Sequence, residues 1–310
     1  MHILVLASDY NLYTDELSKA NLSLQFTASD EASNVIDAAR ECPIWLGDPH
    51  LVAELLRLNI KPKWIQSTWA GVSPLLADDL PHDYILTRAV GVFGQLMVEY
   101  LLTYLLAHER QVMQRIDHQK EEKWCDLQPG TLKNRQLLIV GAGDIGCVVA
   151  QMLSPFGVDL IGIVSTTRSL SPFRLCGTLD DLPRFVETAD YAVNLLPNTP
   201  KTQNIWNATL FARMKPTALF INVGRGSAVV DADLIMALKQ KWLAGAIIDV
   251  CREEPLPAQH PFWHTQGLIL TSHSAAPSLA CPIVELFCDN LNRFCNNLSM
   301  RGRVDFHRSY

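Results

Sequence analysis

The sequence predicts an α/β protein of two domains, each a parallel β-sheet with helices on both faces. Three observations predict it. Short apolar runs of strand length alternate with amphipathic runs, the pattern of successive βαβ units. A long apolar helix and then a polar stretch broken at Pro129-Gly130 interrupt the alternation near mid-chain. The alternation then restarts at a glycine-rich turn beginning with Gly141, which leaves enough chain ahead of that turn for a whole domain.

In the first series, residues 3–6, 43–46, 63–67 and 84–87 read as strands and 51–58 as an amphipathic helix. Residues 97–112 (MVEYLLTYLLAHERQV) read as a long helix, apolar on most sides near its start and therefore buried. Residues 118–134 are polar. In the second series, 136–140, 160–164, 191–196, 218–223, 246–250 and 268–271 read as strands. Helices at 145–153, 179–188, 208–214 and 232–241 fill the gaps, with Asn207 and Asp231 as N-caps. The last segment reads as a helix and a tail. No internal repeat or low-complexity tract is visible.

Composition narrows the function. A chain of 310 residues, 48% of them hydrophobic, has enough apolar side chains for two cores. The formal net charge of -6 weighs against a general nucleic-acid binder, which needs clustered Lys and Arg. A small anionic substrate needs only one or two local cations. The opening Met1-His2-Ile3-Leu4-Val5-Leu6 lacks a basic n-region and is too short for a signal sequence. No run approaches the roughly 18 apolar residues of a membrane span. The expectation is a cytoplasmic protein with no membrane partner. The eight cysteines form no CxxC pair, so no metal site is expected. Cys281, Cys288 and Cys295 recur every seven residues, on one face of the final helix, and are expected as packed core thiols.

The restart at mid-chain carries the first chemistry. Leu137-Leu138-Ile139-Val140 runs into Gly141-Ala142-Gly143-Asp144-Ile145-Gly146 and then a helix, the GxGxxG fingerprint between strand and helix that it requires. Gly141 permits the tight turn, Gly143 lets a pyrophosphate approach the backbone, and Gly146 lets helix and strand pack closely. The helix N-terminus offers free N–H groups to the phosphates. A glycine-rich turn in an unrelated α/β domain and a methyltransferase loop are the alternatives. An NAD site usually ends its second strand with an acid that binds the ribose 2′-OH. Here that strand ends at Val164, followed by Ser165, Thr166, Thr167 and Arg168. Three hydroxyls and a guanidinium suit a 2′-phosphate. NADP(H) is therefore the preferred cofactor, with NAD(H) still usable.

Four ordered segments follow. Tyr191-Ala-Val-Asn-Leu-Leu-Pro197-Asn-Thr-Pro200 resembles "LLPNTPET", and Ile221-Asn-Val-Gly-Arg225-Gly226 resembles "INVGRG". Asp249-Val-Cys-Arg-Glu-Glu254-Pro255-Leu-Pro resembles "DVFEEEPLP", and Thr271-Ser-His273-Ser-Ala-Ala resembles "TPHIAA". In the first domain, Trp64-Ile-Gln-Ser-Thr-Trp69-Ala70-Gly71-Val72 is similar to a loop that holds a substrate carboxylate. These are motifs of the D-isomer-specific 2-hydroxyacid dehydrogenases, and the pattern is most similar to the glyoxylate/hydroxypyruvate reductase-like branch.

The resemblance implies two Rossmann/flavodoxin-like domains with an active site in the interdomain cleft. Residues 1–94 would be the substrate domain and 95–277 the dinucleotide domain, with 278–310 returning to the first. It implies reduction of small 2-keto acids to D-2-hydroxy acids. Such a reduction needs a proton donor for the carbonyl oxygen, and a His is the natural acid near neutral pH. The matching residue is His273, with Glu254 as the carboxylate that orients its ring. Arg225 matches the guanidinium that binds the carboxylate and carbonyl oxygens. The Gly71 and Val72 N–H groups would hold the other side of the carboxylate. The implied cofactor contacts are Gly141, Gly143, Asp144, Ile145 and Gly146; Ser165 to Arg168; Leu196, Pro197 and Thr202; Val223, Gly224 and Arg225; and Asp249, His273 and Ala275.

Trp45, Trp69 and Met97 are expected to line the substrate pocket, with His50 and Arg88 as further polar candidates. A homodimer formed through the helix at Met97 and the segment around Trp124 is also implied. The sequence departs from the pattern at Ser272, where a Pro is usual, at Cys251-Arg252, which replace an aromatic residue and an acid, and at Asn134-Arg135. A dinucleotide-sensing, corepressor-like regulator on the same fold is the alternative function. A formate dehydrogenase would pair its His with a Gln, and Glu254 disfavours it.

Overall fold

The computed structural model describes residues 1–20, 24–166 and 168–306. The chain divides into two compact units, Met1–Phe93 with Ser278–Tyr310, and Gly94–Pro277.

Unit 1 contains β1 (His2–Leu6), α1 (Tyr10–Lys19), β2 (Gln25–Ser29), α2 (Ile36–Glu41), β3 (Ile44–Gly47), α3 (Pro49–Arg57), β4 (Trp64–Ser67) and β5 (Ile85–Thr87). Its five strands pair in parallel in the order β2-β1-β3-β4-β5. β3 and β4 are buried along their whole length, as central parallel strands covered on both faces must be.

The chain returns to this unit through its last helix, which buries Ile283, Val284, Leu286, Phe287, Asn290 and Leu291. Trp64 stacks on Phe287 and Phe294 at 5.2 and 5.4 Å. Its indole donates to Thr87 Oγ1 at 2.8 Å, and Asn290 Nδ2 donates to Gln66 Oε1 at 2.9 Å. The heptad-spaced thiols lie off that buried stripe. Cys281 and Cys295 are exposed and Cys288 is half-buried, so the expectation of packed core thiols fails there. All eight cysteines are free.

Unit 2 contains α4 (Gly94–Glu109), α5 (Val112–Lys120), β6 (Gln136–Val140), α6 (Asp144–Leu153), β7 (Asp159–Ile163), β8 (Leu175–Gly177), α7 (Leu182–Phe185), β9 (Tyr191–Asn194), α8 (Ala208–Phe211), β10 (Leu219–Asn222), α9 (Asp231–Lys239), β11 (Gly245–Ile248) and β12 (Leu268–Leu270), and the last helix of unit 1 is then α10 (Ala280–Cys295). The seven strands are all parallel, in the order β12-β11-β10-β9-β6-β7-β8. Strand order reverses between β6 and β9, and a crevice opens at such a switch point beyond the strands' carboxyl ends. α4 packs closely on α6, where a Cβ on Gly94 would lie 2.4 Å from the Val148 side chain.

Several elements differ from expectation. The edge strands β2 and β8 are not signalled, β2 because its residues are half polar and β8 because it is only three residues long. The long helix breaks at Gln111, which has φ +52°, and a further helix, α5, then runs into the polar segment, burying none of its residues. The helix expected over 179–188 is a short 3-10 turn followed by α7. Arg135, a departure from the family pattern, pairs with the buried Glu109 through Nε at 2.7 Å, and the Tyr191 hydroxyl donates to the same carboxylate. No helix among the described residues is long and apolar enough to cross a membrane.

Candidate active site

Three glycines shape the turn after β6. Gly141 has φ +108°, and a Cβ there would lie 2.9 Å from the Leu195 carbonyl. A Cβ on Gly146 would lie 2.5 Å from the Gly141 oxygen, so α6 rests directly on the turn. Gly143, by contrast, faces open space, with nothing within 4 Å of a Cβ placed there. The open face therefore lies at the N-terminus of α6, beside Asp144 and Ile145, where the helix's first N–H groups can meet a diphosphate.

The walls come from the neighbouring strands. A Cβ on Gly224 would lie 2.8 Å from the Leu196 backbone, and Val223 N–H donates to Asn194 O at 3.1 Å. The turns after β6, β9 and β10 thus meet at one edge. Leu196 and Val223 are buried, whereas Pro197 is exposed. Thr202 is buried, and its Oγ1 donates to Pro197 O at 2.6 Å, which makes it a brace for this turn. Past β7, Val164 is buried, and Ser165, Thr166 and Arg168 are exposed. Thr167 lies outside the described residues. Among the described residues, Arg168 forms no ion pair. This arrangement fits a dinucleotide.

At the other side of the same sheet edge, His273 Nδ1 lies 2.7 Å from Glu254 Oε2. Glu254 Oε1 accepts the Cys251 N–H at 2.7 Å, which fixes the carboxylate from behind. With Nδ1–H donated to the carboxylate, Nε2 is the ring nitrogen left to exchange a proton. Ser272 and His273 both have left-handed backbones, φ +52° and +54°. For residues with a Cβ this costs roughly 1–2 kcal/mol each. The buried Asp249 offsets it. Its carbonyl accepts the His273 N–H at 2.7 Å, and its carboxylate accepts the Ser274 and Ala275 N–H groups at 2.8 and 3.1 Å and the Thr271 hydroxyl at 2.6 Å. Asp249, expected at the cofactor, has its carboxylate turned to this loop.

Arg225 is half-buried, and its Nη1 donates to the Gly224 carbonyl at 2.6 Å. Among the described residues it forms no ion pair. Burial pushes the guanidinium below its usual value, and the Glu254 carboxylate opposes the shift. The adjacent Gly226 admits the close approach of two loops, because a Cβ there would lie 1.9 Å from the Cys251 backbone.

The loops are stitched together by residues that were not among the expected site residues. The fully buried Asn222 donates to Arg225 O at 3.2 Å and accepts from Asn194 Nδ2 at 2.8 Å. A polar side chain at the end of an otherwise apolar strand was the available signal. Arg252 donates to Asn204 Oδ1 at 2.6 Å and to the Val229 carbonyl, so this departure from the pattern ties the β10 and β11 loops. Burial pushes the neighbouring Cys251 thiol up to about 11, which keeps it neutral.

In unit 1, Trp69 is partly exposed and its ring lies 5.3 Å from His50. Its N–H donates to Ser67 Oγ at 3.0 Å, and its carbonyl accepts from the same hydroxyl at 3.0 Å. Ala70 and Gly71 are half-buried and Val72 is buried. Arg88 is half-buried, and its N–H donates to Gly302 O at 2.8 Å. Trp45 corrects the expected pocket lining. It is fully buried in the unit 1 core, with its indole donating to Cys42 O at 2.8 Å. Met97 likewise lies in the core of unit 2.

Fold and site together define a dinucleotide-dependent oxidoreductase. The family model "D-isomer specific 2-hydroxyacid dehydrogenase, NAD binding domain" matches residues 102–275. The glyoxylate/hydroxypyruvate reductase A of Serratia proteamaculans is 32% identical over 269 residues, 84% of this chain and 85% of that one. A D-isomer specific 2-hydroxyacid dehydrogenase family protein from Aeromonas salmonicida superposes with a TM-score of 0.92 at 35% identity, covering 98% and 99% of the two chains. The NADPH-dependent glyoxylate/hydroxypyruvate reductase of Sinorhizobium meliloti, solved with NADP and sulfate, gives 0.86 at 26% identity, covering 100% and 99%. The chain belongs to the D-isomer specific 2-hydroxyacid dehydrogenase family and is an NAD(P)-dependent oxidoreductase.

The left-handed turn makes a prediction about Ser272. Proline is locked near φ of about -65° and cannot adopt φ +52°. Ser272→Pro should destabilise the protein by more than roughly 1 kcal/mol and speed amide exchange at Ser274 and Ala275, read by calorimetry and hydrogen exchange. Unchanged stability and protection would show that the turn takes another form.

Proposed function

We propose that this chain reduces small 2-keto acids of glyoxylate or hydroxypyruvate size to D-2-hydroxy acids, with NADPH preferred over NADH. One observation carries the reading. A half-buried guanidinium that forms no ion pair among the described residues, Arg225, sits by a carboxylate, Glu254, that also holds an imidazole, His273. Such a grouping suits an anionic substrate whose carbonyl must be polarised and protonated. The reductase names of the relatives support the same substrate class.

The dinucleotide, when bound, supplies the hydride. Gly141, Gly143 and the first turn of α6, with Leu196, Pro197, Val223 and Gly224, would hold it. The Arg225 Nη1 already donates to Gly224 O, which leaves Nε and Nη2 to meet the substrate carboxylate and carbonyl oxygens. As the carbonyl carbon is reduced, negative charge gathers on its oxygen. His273 gives that oxygen the proton at Nε2, and Glu254 stabilises the imidazolium before transfer and keeps the ring from rotating. In the reverse direction the same nitrogen takes the proton from the hydroxyl. The Trp69–Val72 loop is proposed, on the sequence resemblance, to hold a carboxylate through the Gly71 and Val72 N–H groups. The exposed hydroxyls of Ser165 and Thr166, with the exposed Arg168, which forms no ion pair among the described residues, support the NADPH preference.

We also propose a homodimer. The segment from Val112 to Trp124 carries exposed Val112, Met113, Ile116 and Trp124, apolar surface that a second copy would cover.

The first test is NADPH and NADH oxidation across a panel of 2-keto acids. Turnover of glyoxylate or hydroxypyruvate, with higher kcat/KM for NADPH, is expected. Better use of NADH would refute the cofactor preference, and no turnover with any acid would favour a dinucleotide-sensing regulator. Light scattering should give twice the chain mass, and a monomer alone would contradict the dimer.

A further inference from the structure

The His273 loop is tied to a helix distant in sequence. Tyr100, on α4, places its hydroxyl 2.7 Å from Thr271 Oγ1, and Thr271 Oγ1 lies 2.6 Å from Asp249 Oδ1. The direction of the chain follows from proton count. A carboxylate only accepts, so the single Thr271 hydroxyl proton goes to Asp249, and Tyr100 must donate to Thr271. Asp249 then receives the Ser274 and Ala275 N–H groups on its carboxylate and the His273 N–H on its carbonyl. Every one of these bonds closes on the segment that bends left-handed at Ser272 and His273.

Neither hydroxyl bonds to the imidazole, and neither is needed to pack α4. That helix is seated by Met97, Val98, Leu101 and Leu105 and by the contact of Gly94 with Val148. The Tyr100 ring rests on Tyr104 at 4.8 Å, a contact that phenylalanine would keep. Burial pushes the Tyr100 phenol above its usual value, so it remains a donor at neutral pH.

We propose that Tyr100 and Thr271 are positioning residues for the reaction. Their hydroxyls fix the Asp249 carboxylate, and Asp249 fixes the turn that delivers His273 to Glu254. The inference rests on His273 being the proton donor. It differs from a purely structural role in what it disturbs, because a loosened turn misaligns the imidazole and slows the chemical step while the dinucleotide turn at Gly141 stays intact.

The test measures single-turnover oxidation of NADPH by glyoxylate, NADPH affinity by fluorescence titration, and thermal stability. Tyr100→Phe and Thr271→Val should each slow the single turnover about tenfold, the effect of one lost hydrogen bond on an aligned group. NADPH affinity should stay at the wild-type value, and the unfolding temperature should fall only by the small amount that one hydrogen bond explains. Thr271→Ser, which keeps the hydroxyl, should recover most of the rate, and Tyr104→Phe should match wild type. His273→Gln is the control for the underlying reading. If it turns over normally, the acid/base assignment fails. If it is inactive while Tyr100→Phe and Thr271→Val run at full rate, only the positioning role fails. A rate loss that tracks weaker NADPH binding, a large fall in the unfolding temperature, or Thr271→Ser as slow as Thr271→Val also overturns it.

Discussion

The hydrogen bond between His273 Nδ1 and Glu254 Oε2, 2.7 Å long, joins loops that follow two adjacent parallel strands, β11 and β12. Arg225 arrives on the loop after β10, the next strand in the sheet. Because all three strands run the same way, their carboxyl ends lie on one edge, and each contributes one functional group there. The spacing between the loops is held by backbone contact. Gly226 lies against Cys251 so closely that any side chain would displace it, and the Cys251 N–H anchors the far oxygen of Glu254. Asp249 performs the matching task for the His273 loop. Backbone of three neighbouring loops thus determines where the guanidinium, carboxylate and imidazole stand.

Charge is distributed unevenly around that edge. Two other arginines of unit 2 are neutralised within the chain, Arg135 by the buried Glu109 and Arg174 by Asp159. Among the described residues Arg225 forms no ion pair; the Glu254 carboxylate helps it only at a distance, and burial makes its charge harder to carry. A half-buried cation that no carboxylate contacts directly is unfavourable for stability alone. Under the proposed function it becomes favourable, because an anionic substrate would complete the pair. Gly143 shows the same logic at the dinucleotide turn, where the chain leaves space that a side chain would occupy.

Much of this was readable in the sequence, for local reasons. The βα series, the fingerprint at Gly141 and the order of the Arg225, Glu254 and His273 segments are each written in a few consecutive residues. Edge strands β2 and β8 were not, because an edge strand needs no continuous apolar run. α5 was missed because its apolar residues, Val112, Met113 and Ile116, are confined to its start and the rest of it is polar. Trp45 and Met97 show a different limit. A large apolar residue near a site may equally enter the core, and its destination depends on strands and helices that arrive from elsewhere. The Tyr100–Thr271 bond spans 171 residues, beyond the reach of any local pattern. Ser272 looked like a tolerated departure, and the structure gives it a physical basis in a backbone angle closed to proline.

The central claim is that His273 supplies the proton in a dinucleotide-dependent keto acid reduction. The most direct measurement is kcat/KM for glyoxylate with NADPH in His273→Ala, alongside its NADPH affinity and stability. The account predicts a loss of about 10³-fold, within the range of general acid catalysis, with affinity and stability unchanged. A variant that turns over at close to the wild-type rate would contradict it.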